Sequence, residues 1–173
     1  ILDCTFNVND SLKNRLDQLR KEAEIAVREG DKHLILSDKS ISEIKAPIPM
    51  SLAIGAINSR LVNLGIRGFA SINVQTSEVL DTHSFAVLLG VGATSINPYI
   101  AFDSINQRFE KKLFGTMNFE ECVQRYTKSI ENGLLKIMSK MGISVLSAYR
   151  GGCNFEALGL GRSIVAEYFP GMV

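Results

Sequence analysis

The chain has 173 residues, of which 46% are hydrophobic and 21% charged, and its 19 basic and 18 acidic residues leave a formal net charge of +1. This is the composition of an ordinary globular domain, and a chain of this length builds a core without a disulfide or a metal. The scattered basic residues provide no field for a phosphate backbone or an anionic membrane, so nucleic-acid and membrane-surface roles are disfavoured. No window approaches 18 apolar residues, which excludes a membrane-spanning helix.

The cysteines and the two ends carry further expectations. Cys4, Cys122 and Cys153 are an odd number and include no C-x-x-C pair. Free thiols of this kind suit a reducing compartment, so we expect a cytoplasmic protein. The chain opens on Ile1 without a Met and closes on Val173 without a polar tail. We therefore expect a single fragment, residues 1–173, excised from a longer protein.

Short apolar runs alternate with longer segments of helical period from the start of the chain. The first run covers residues 1–6 and precedes a helix that Asn9 or Asp10 caps, because a side-chain oxygen there accepts a free backbone N–H. Gly30 ends that helix, since glycine adopts the left-handed conformation that follows many helices. The second run covers residues 33–37 and leads into a polar loop.

The next units follow the same pattern. Pro47 and Pro49 allow a helix to start but not to pass through them, and they predict a helix over residues 50–64. Residues 69–75 form the third run, and Asp81 or Thr82 then caps a short helix.

The second half of the chain holds the clearest helix. After a fourth run at residues 93–97, Pro98 suits the first turn of a helix, and the polar residues 106–118 indicate an irregular or partly helical insertion. Asn118 and Glu121 form a capping-box arrangement at the start of an apolar stripe that predicts a helix to residue 141. Residues 143–148 are the fifth run, followed by one or two short helices.

This alternation predicts an α/β fold with a parallel sheet, because parallel neighbours need a crossover and a helix covers the sheet economically. Five units are too few for a closed eight-stranded barrel. Two architectures remain open at this point: a doubly wound open sheet, and an incomplete (βα) barrel.

Polar residues follow the predicted strands, where ligand sites form in parallel α/β folds. These positions are Thr5, Asp38, Thr76, Asn97 and Arg150. One interpretation is a cluster around a ligand or channel, and the other is that polar residues there meet water and cap the following helices. The turn after Arg150 also suits an anion at a helix N-terminus, although it lacks the Lys and Ser/Thr of a phosphate loop.

The sequence predicts no catalytic, cofactor-binding or metal-binding residue. His33 lies in an apolar run and His83 in the first turn of a helix, and neither has a partner at metal-ligand spacing. Cys4 and Cys122 occupy apolar positions, and Cys153 near a helix start has no identifiable base, so all three thiols read as inert.

Seven strings nevertheless occur in one order that is specific to a known family. They are LDCTF (2–6), LILSDK (34–39), HSFAVLLG (83–90), INPYIAF (96–102), GLLKIMSKMGIS (133–144), SAYRG (147–151) and FEALGL (155–160). Together they resemble the central domain of the large subunit of glutamate synthase. The match runs over nearly the whole chain.

The resemblance implies a parent enzyme with an N-terminal amidotransferase domain that hydrolyses glutamine and passes ammonia through an internal tunnel. A C-terminal barrel with FMN and a [3Fe–4S] cluster then makes glutamate from 2-oxoglutarate, using electrons from NADPH or ferredoxin. The central domain of the family is similar in topology to that FMN barrel and is not known to hold flavin or catalytic residues. The resemblance therefore implies an incomplete barrel-like half that acts as a structural and coupling element, with the other two domains as partners and no cofactor of its own.

Alternatives from other classes remain. The chain is also consistent with a freestanding α/β enzyme or a module that binds an anion or a flavin phosphate through Arg150, or with a generic interaction domain. If it is a partial barrel, exposed strand edges and apolar helix faces predict self-association into a homo-oligomer.

Overall fold

The structure of the chain, a computed structural model, describes residues 1–152 and 154–172. Its strands are β1 (Leu2–Asp3), β2 (Thr5–Asn7), β3 (His33–Ser37), β4 (Lys45–Pro47), β5 (Ser71–Gln75) and β6 (Ser95–Asn97). Its α-helices are α1 (Leu12–Arg28), α2 (Met50–Asn63), α3 (Thr82–Val91), α4 (Tyr99–Glu110), α5 (Phe119–Lys140), α6 (Leu146–Tyr149) and α7 (Arg162–Tyr168).

Four strands form a parallel sheet in the order β1, β3, β5, β6, which is also their order in the chain. Every crossover therefore moves in the same direction across the sheet. This confirms the predicted α/β fold and favours the wall of a barrel over a doubly wound sheet, whose strand order reverses. The sheet does not close within the described residues. Strands β2 and β4 form a separate antiparallel pair, with Thr5 opposite Pro47.

The two faces of the parallel sheet differ in chemistry. Buried apolar side chains from alternate strand positions pack with α1, α2 and α3 into one core; on the strands they are Leu34, Leu36, Ile72 and Val74. The opposite face is polar and linked by hydrogen bonds. His33 Nδ1 lies 2.8 Å from Ser71 Oγ, Asn73 Nδ2 donates to the same Ser71 oxygen, and Ser95 Oγ donates to Asn73 Oδ1. The buried strand residues therefore face the helices, and the hydrogen-bonded network lies on the other face of the sheet.

Helix starts follow the expected capping chemistry, with one correction. Asp81 accepts a hydrogen bond from the Ser84 N–H and Asn118 from the Glu121 N–H, which confirms both predicted caps. Helix α1 is capped by Ser11 rather than by Asn9 or Asp10.

Two sequence predictions about elements were wrong, and a third was resolved. The fifth strand does not form: residues 146–149 are helical, and the Ile143 N–H bonds back to the Met138 oxygen at the end of α5. The segment 106–118 is partly helical, the second of its two predicted forms, because α4 runs to Glu110. The first run divides at Cys4, so that its second half joins β4 instead of the parallel sheet.

The C-terminal helix returns to the start of the chain. Arg20 on α1 forms an ion pair of 2.8 Å with Glu167 on α7, and its guanidinium lies 4.5 Å from the centre of the Tyr168 ring. Among the described residues, no helix combines the length and the apolar content that a crossing of a lipid bilayer requires.

Candidate functional site

The carboxyl ends of β3 and β5 meet at Asp38, which follows β3 directly and is fully buried. Its Oδ2 accepts three hydrogen bonds: from Thr76 Oγ1 at 2.9 Å, from the Ser77 N–H at 2.8 Å and from Ser77 Oγ at 2.9 Å. The structure thus brings together two of the predicted site residues, Asp38 and Thr76. Parallel strands place their ends at one edge, which explains the contact.

Tyr99 and Lys39 cover this cluster from the neighbouring strand ends. Tyr99 begins α4 two residues after β6, and burial raises the pKa of its hydroxyl, with a further rise from the nearby Asp38 carboxylate. Lys39 Nζ lies 4.9 Å from the centre of the Tyr99 ring. No described group donates a hydrogen bond to Asp38 Oδ1.

Glu78 fills the N-terminus of the neighbouring helix α2. Pro49 provides no side-chain cap there, and the Met50 N–H donates instead to Glu78 Oε2 at 3.0 Å. Burial raises the pKa of Glu78; the Met50 hydrogen bond opposes the rise and the Asp38 charge adds to it. A side chain of the protein therefore occupies a position that commonly receives anions.

Asn97 and Thr5 lie at strand ends but do not contact the Asp38 carboxylate through hydrogen bonds. The main-chain oxygen of Asn97 accepts from the Thr76 N–H at 3.1 Å, while its side chain is exposed. Thr5 donates from both its N–H and its hydroxyl to Asp3 Oδ1. It also lines a polar cavity of about 380 Å³ beside Arg15.

Arg150 does not lie at the carboxyl ends of the strands but on the side of the sheet where the strands begin. Its prediction as a strand-end residue was wrong. It follows the short helix α6, and the next residue, Gly151, donates its N–H to Leu89 near the end of α3. Burial lowers the pKa of Arg67, and the positive charge of Arg150 lowers it further. Arg67 in turn donates to the main-chain oxygens of Ala70 and Gly92, which precede β5 and β6. No helix begins at residues 150–152, so the anion-binding alternative lacks the helix N-terminus that it requires.

Sequence reasoning missed Ser77, Glu78 and Tyr99. The first two continue a polar run that begins at Thr76, directly after β5, and this run was the available signal. Tyr99 follows Asn97 by two residues, but an aromatic ring in the first turn of a helix carries no comparable signal.

The two described cysteines are buried free thiols. Cys4 is fully buried, which raises the pKa of its thiol to about 12, and Cys122 is a buried free cysteine. Cys153 lies outside the described residues. Across residues 1–152 and 154–172, no three His, Cys, Asp or Glu side chains gather as a metal or iron–sulfur site requires. With Glu78 on the α2 N-terminus and Arg150 at the far edge, these residues do not fit an FMN phosphate either.

The comparisons with known proteins give one consistent result. A family model described as "Glutamate synthase central domain" matches residues 1–161. The chain is 51% identical to a glutamate synthase [NADPH] large chain of Azospirillum brasilense over 99% of its length, and 40% identical to that of Bacillus subtilis (strain 168) over 98%. It is 39% identical to a chloroplastic ferredoxin-dependent glutamate synthase of Spinacia oleracea over 99%. The matched region makes up 11–12% of these relatives. The resemblance in the sequence is confirmed.

Proposed function

Because the chain belongs to the glutamate synthase central-domain family, we propose that it is a structural and coupling element between an amidotransferase domain and an FMN synthase domain. The whole protein would convert glutamine, 2-oxoglutarate and a reductant into two molecules of glutamate. Its catalytic residues would lie in those two other domains, and none in this chain.

One observation carries the proposal. Identity of 51% extends over 99% of this chain but over only 12% of the Azospirillum relative. A segment that matches from end to end at this level, inside a much longer polypeptide, has the proportions of an internal domain part rather than of a complete enzyme.

The geometry of the strand ends supports the absence of a catalytic role. The Asp38 carboxylate holds Thr76 and Ser77, Glu78 caps α2, and the Cys4 thiol has too high a pKa for a nucleophile at neutral pH. These side chains connect the carboxyl ends of the strands to one another, which is a structural task.

Cofactors, partners and location follow from the same proposal. FMN and a [3Fe–4S] cluster would belong to the synthase domain, with NADPH or ferredoxin as electron donor, and the amidotransferase and synthase domains would be the partners of this chain. A cytoplasmic location is supported by the buried free thiols of Cys4 and Cys122, which suit a reducing compartment. In isolation, copies of the chain would associate through β6, whose Ser95 and Asn97 lie exposed at one edge of the sheet.

The first test uses the purified chain. Incubated with glutamine, 2-oxoglutarate and NADPH, it is expected to form no glutamate and to bind no FMN. Measurable turnover or stoichiometric flavin would contradict the proposal. Saturable binding of sulfate or phosphate that is lost in Arg150→Ala would instead favour a freestanding anion-binding module.

A second test addresses coupling in a full-length glutamate synthase that contains these residues. Arg20→Ala removes the contacts between α1 and α7 and so weakens the docking of the C-terminal helix. We expect the variant to consume more glutamine than 2-oxoglutarate. A loosened coupling element would no longer keep the amidotransferase and synthase active sites working in step. Arg125→Ala, which removes an exposed pair within α5, is the matched control. Equal consumption in both variants contradicts the coupling role.

A further inference from the structure

Arg67 and Arg150 meet at the same end of helix α3. Arg67 Nη2 donates to the main-chain oxygen of Gly92 at 2.9 Å, and the N–H of Gly151, next to Arg150, donates to the Leu89 oxygen at 3.3 Å. Both accepting carbonyls belong to the C-terminal end of α3. The structure therefore places two guanidinium groups together at the amino edge of the sheet, and the lowered pKa of Arg67 agrees with this placement.

Neither positive charge is neutralised by the described residues. None of their ion pairs includes Arg67 or Arg150. The hydrogen bonds that Arg67 donates reach neutral acceptors, namely Asn58 Oδ1 at 2.7 Å and the main-chain oxygens of Ala70 and Gly92. The end of α3 offsets only part of the charge, because a helix C-terminus carries about −0.5 elementary charge and each guanidinium carries a full positive charge. The pair therefore favours an anionic group.

Arg150 also contributes a donor that has no acceptor. Its Nε is buried, and no described atom accepts a hydrogen bond from it. The residue is only partly exposed, so water replaces the missing acceptor poorly. A guanidinium presents parallel N–H groups that match the two oxygens of a carboxylate. A carboxylate is therefore the group that best completes Arg150.

The surroundings favour a carboxylate on a protein over a free anion. Phe69 belongs to the same 3₁₀ turn as Arg67, and it is 70% exposed. Aromatic residues and arginine are both enriched in protein interfaces. The matched region makes up only 11–12% of the relatives, so most of such a polypeptide lies outside this chain. A carboxylate on the same polypeptide also binds at a high effective concentration, which a free ion lacks.

We infer that Arg67, Phe69 and Arg150 form a docking site for an acidic side chain, Asp or Glu, from another domain of the same polypeptide. The carboxylate would accept the Nε–H of Arg150 together with a second N–H, and it would offset the repulsion between the two guanidinium groups. Phe69 would pack against apolar atoms of the same partner surface. This inference rests on the proposed function, since it requires that the chain lie against other domains.

The first test identifies the carboxylate in a full-length glutamate synthase that contains these residues. Arg150→Lys keeps the positive charge and adds an amine, which a water-soluble carbodiimide joins to a carboxylate in direct contact. We expect an amide link from position 150 to an Asp or Glu outside residues 1–173, mapped by mass spectrometry. Arg108→Lys, at an exposed position of α4, is the matched control and should give no such link. No link from position 150, or a link only to a carboxylate within residues 1–173, overturns the inference.

The second test separates docking from a role in the stability of the chain. Arg150→Met keeps the apolar stem and removes the charge and the donors. The isolated chain should lose no stability towards urea, because the guanidinium has no acceptor there and repels Arg67. In the full-length enzyme, proteolysis at the boundaries of this segment should be at least several-fold faster, because the neighbouring domain docks less tightly. Arg108→Met should be cleaved like the wild type. Cleavage of Arg150→Met at the wild-type rate, or a loss of stability in the isolated chain, overturns the inference.

These outcomes distinguish the docking site from the coupling role. If Arg150→Met is cleaved at the wild-type rate while Arg20→Ala still changes the ratio of glutamine to 2-oxoglutarate consumed, only the docking site is wrong. If the link from position 150 forms but Arg20→Ala leaves that ratio unchanged, only the coupling role is wrong. Saturable binding of sulfate that is lost in Arg150→Ala would identify a free anion as the occupant and overturn the docking site.

Discussion

Gly55 on α2 lies so close to α7 that a Cβ atom added to it would stand 2.6 Å from the main-chain oxygen of Tyr168. The same added Cβ would lie 2.7 Å from the Phe169 ring. Real Cβ contacts are longer, so the absence of a side chain at Gly55 allows α7 to pack on α2.

We therefore expect Gly55→Ala to destabilise the chain by about 1–3 kcal/mol, the usual cost of overpacking a close contact. Urea unfolding measures the loss, and limited proteolysis should show faster cleavage before α7. Gly68→Ala is the matched control, because a Cβ there meets nothing within 4 Å. If the two variants are equally stable, α7 moves away from α2 at no cost in free energy, and the prediction is wrong.

The Cys4 thiol should resist alkylation. Its pKa rises from 9.0 to about 12, chiefly through burial, and three pKa units reduce the thiolate fraction by about 1,000-fold. Iodoacetamide at pH 8 should leave Cys4 unmodified in the folded chain and label it after unfolding in urea. Peptide mapping by mass spectrometry provides the readout, and rapid labelling of Cys4 before unfolding contradicts the expectation.

The raised pKa of Glu78 should make the free energy of unfolding decrease as the pH rises. Its pKa in the folded chain lies above the ordinary value of 4.5, chiefly through burial, so its favourable contribution is present below pH 4.5 and is lost as the pH rises through the folded value. Glu78→Gln should flatten this decline in the free energy of unfolding, measured by urea titration at a series of pH values.

Glu24 provides a control of opposite sign. Hydrogen bonds from Arg60 and then Arg28 lower its pKa below 4.5, so its contribution is present above that pH and is lost on acidification. Glu24→Gln should therefore flatten the acid side of the profile instead. If both variants change the profile in the same direction, the assigned environments are wrong.

The isolated chain should self-associate through β6. Ser95 and Asn97 lie on an edge strand without a neighbour among the described residues, beside a hollow of about 170 Å³ lined by Ile96 and Phe102. Light scattering at micromolar concentration should give a mass above that of the monomer. Ser95→Lys should restore the monomer by placing a charge on the edge, while Gln124→Lys on the exposed face of α5 should not. A monomeric wild-type chain at this concentration contradicts the expectation.

Local signals predicted elements well wherever neighbours in sequence decide the structure. The capping box at Asn118 depends on contacts three residues apart, and the hydrogen bond to the Glu121 N–H forms as expected. The parallel sheet followed from the alternation of runs and helices. The order of the strands within the sheet did not follow from that alternation, because strand order depends on contacts between distant residues.

The fifth run shows why the remainder was not predictable. Ile143 and Val145 have strand propensity, but the Ile143 N–H closes the end of α5, and Ile143 and Leu146 pack with Met138 and Tyr149 against α3. Tertiary packing overrides propensity in so short a segment. The same limit applies to the site: the positions of Asp38 and Thr76 were predictable from strand ends, whereas that of Arg150 depended on the strand that did not form.

The chain-order arrangement of the sheet also governs how the protein is able to fold during synthesis. β3 pairs with β1, β5 with β3 and β6 with β5, so each strand finds its partner already made when it leaves the ribosome. Docking of α7 on α1 spans far more of the chain, since Arg20 and Glu167 are 147 residues apart. We therefore expect the described strands to assemble in chain order and α7 to dock after them.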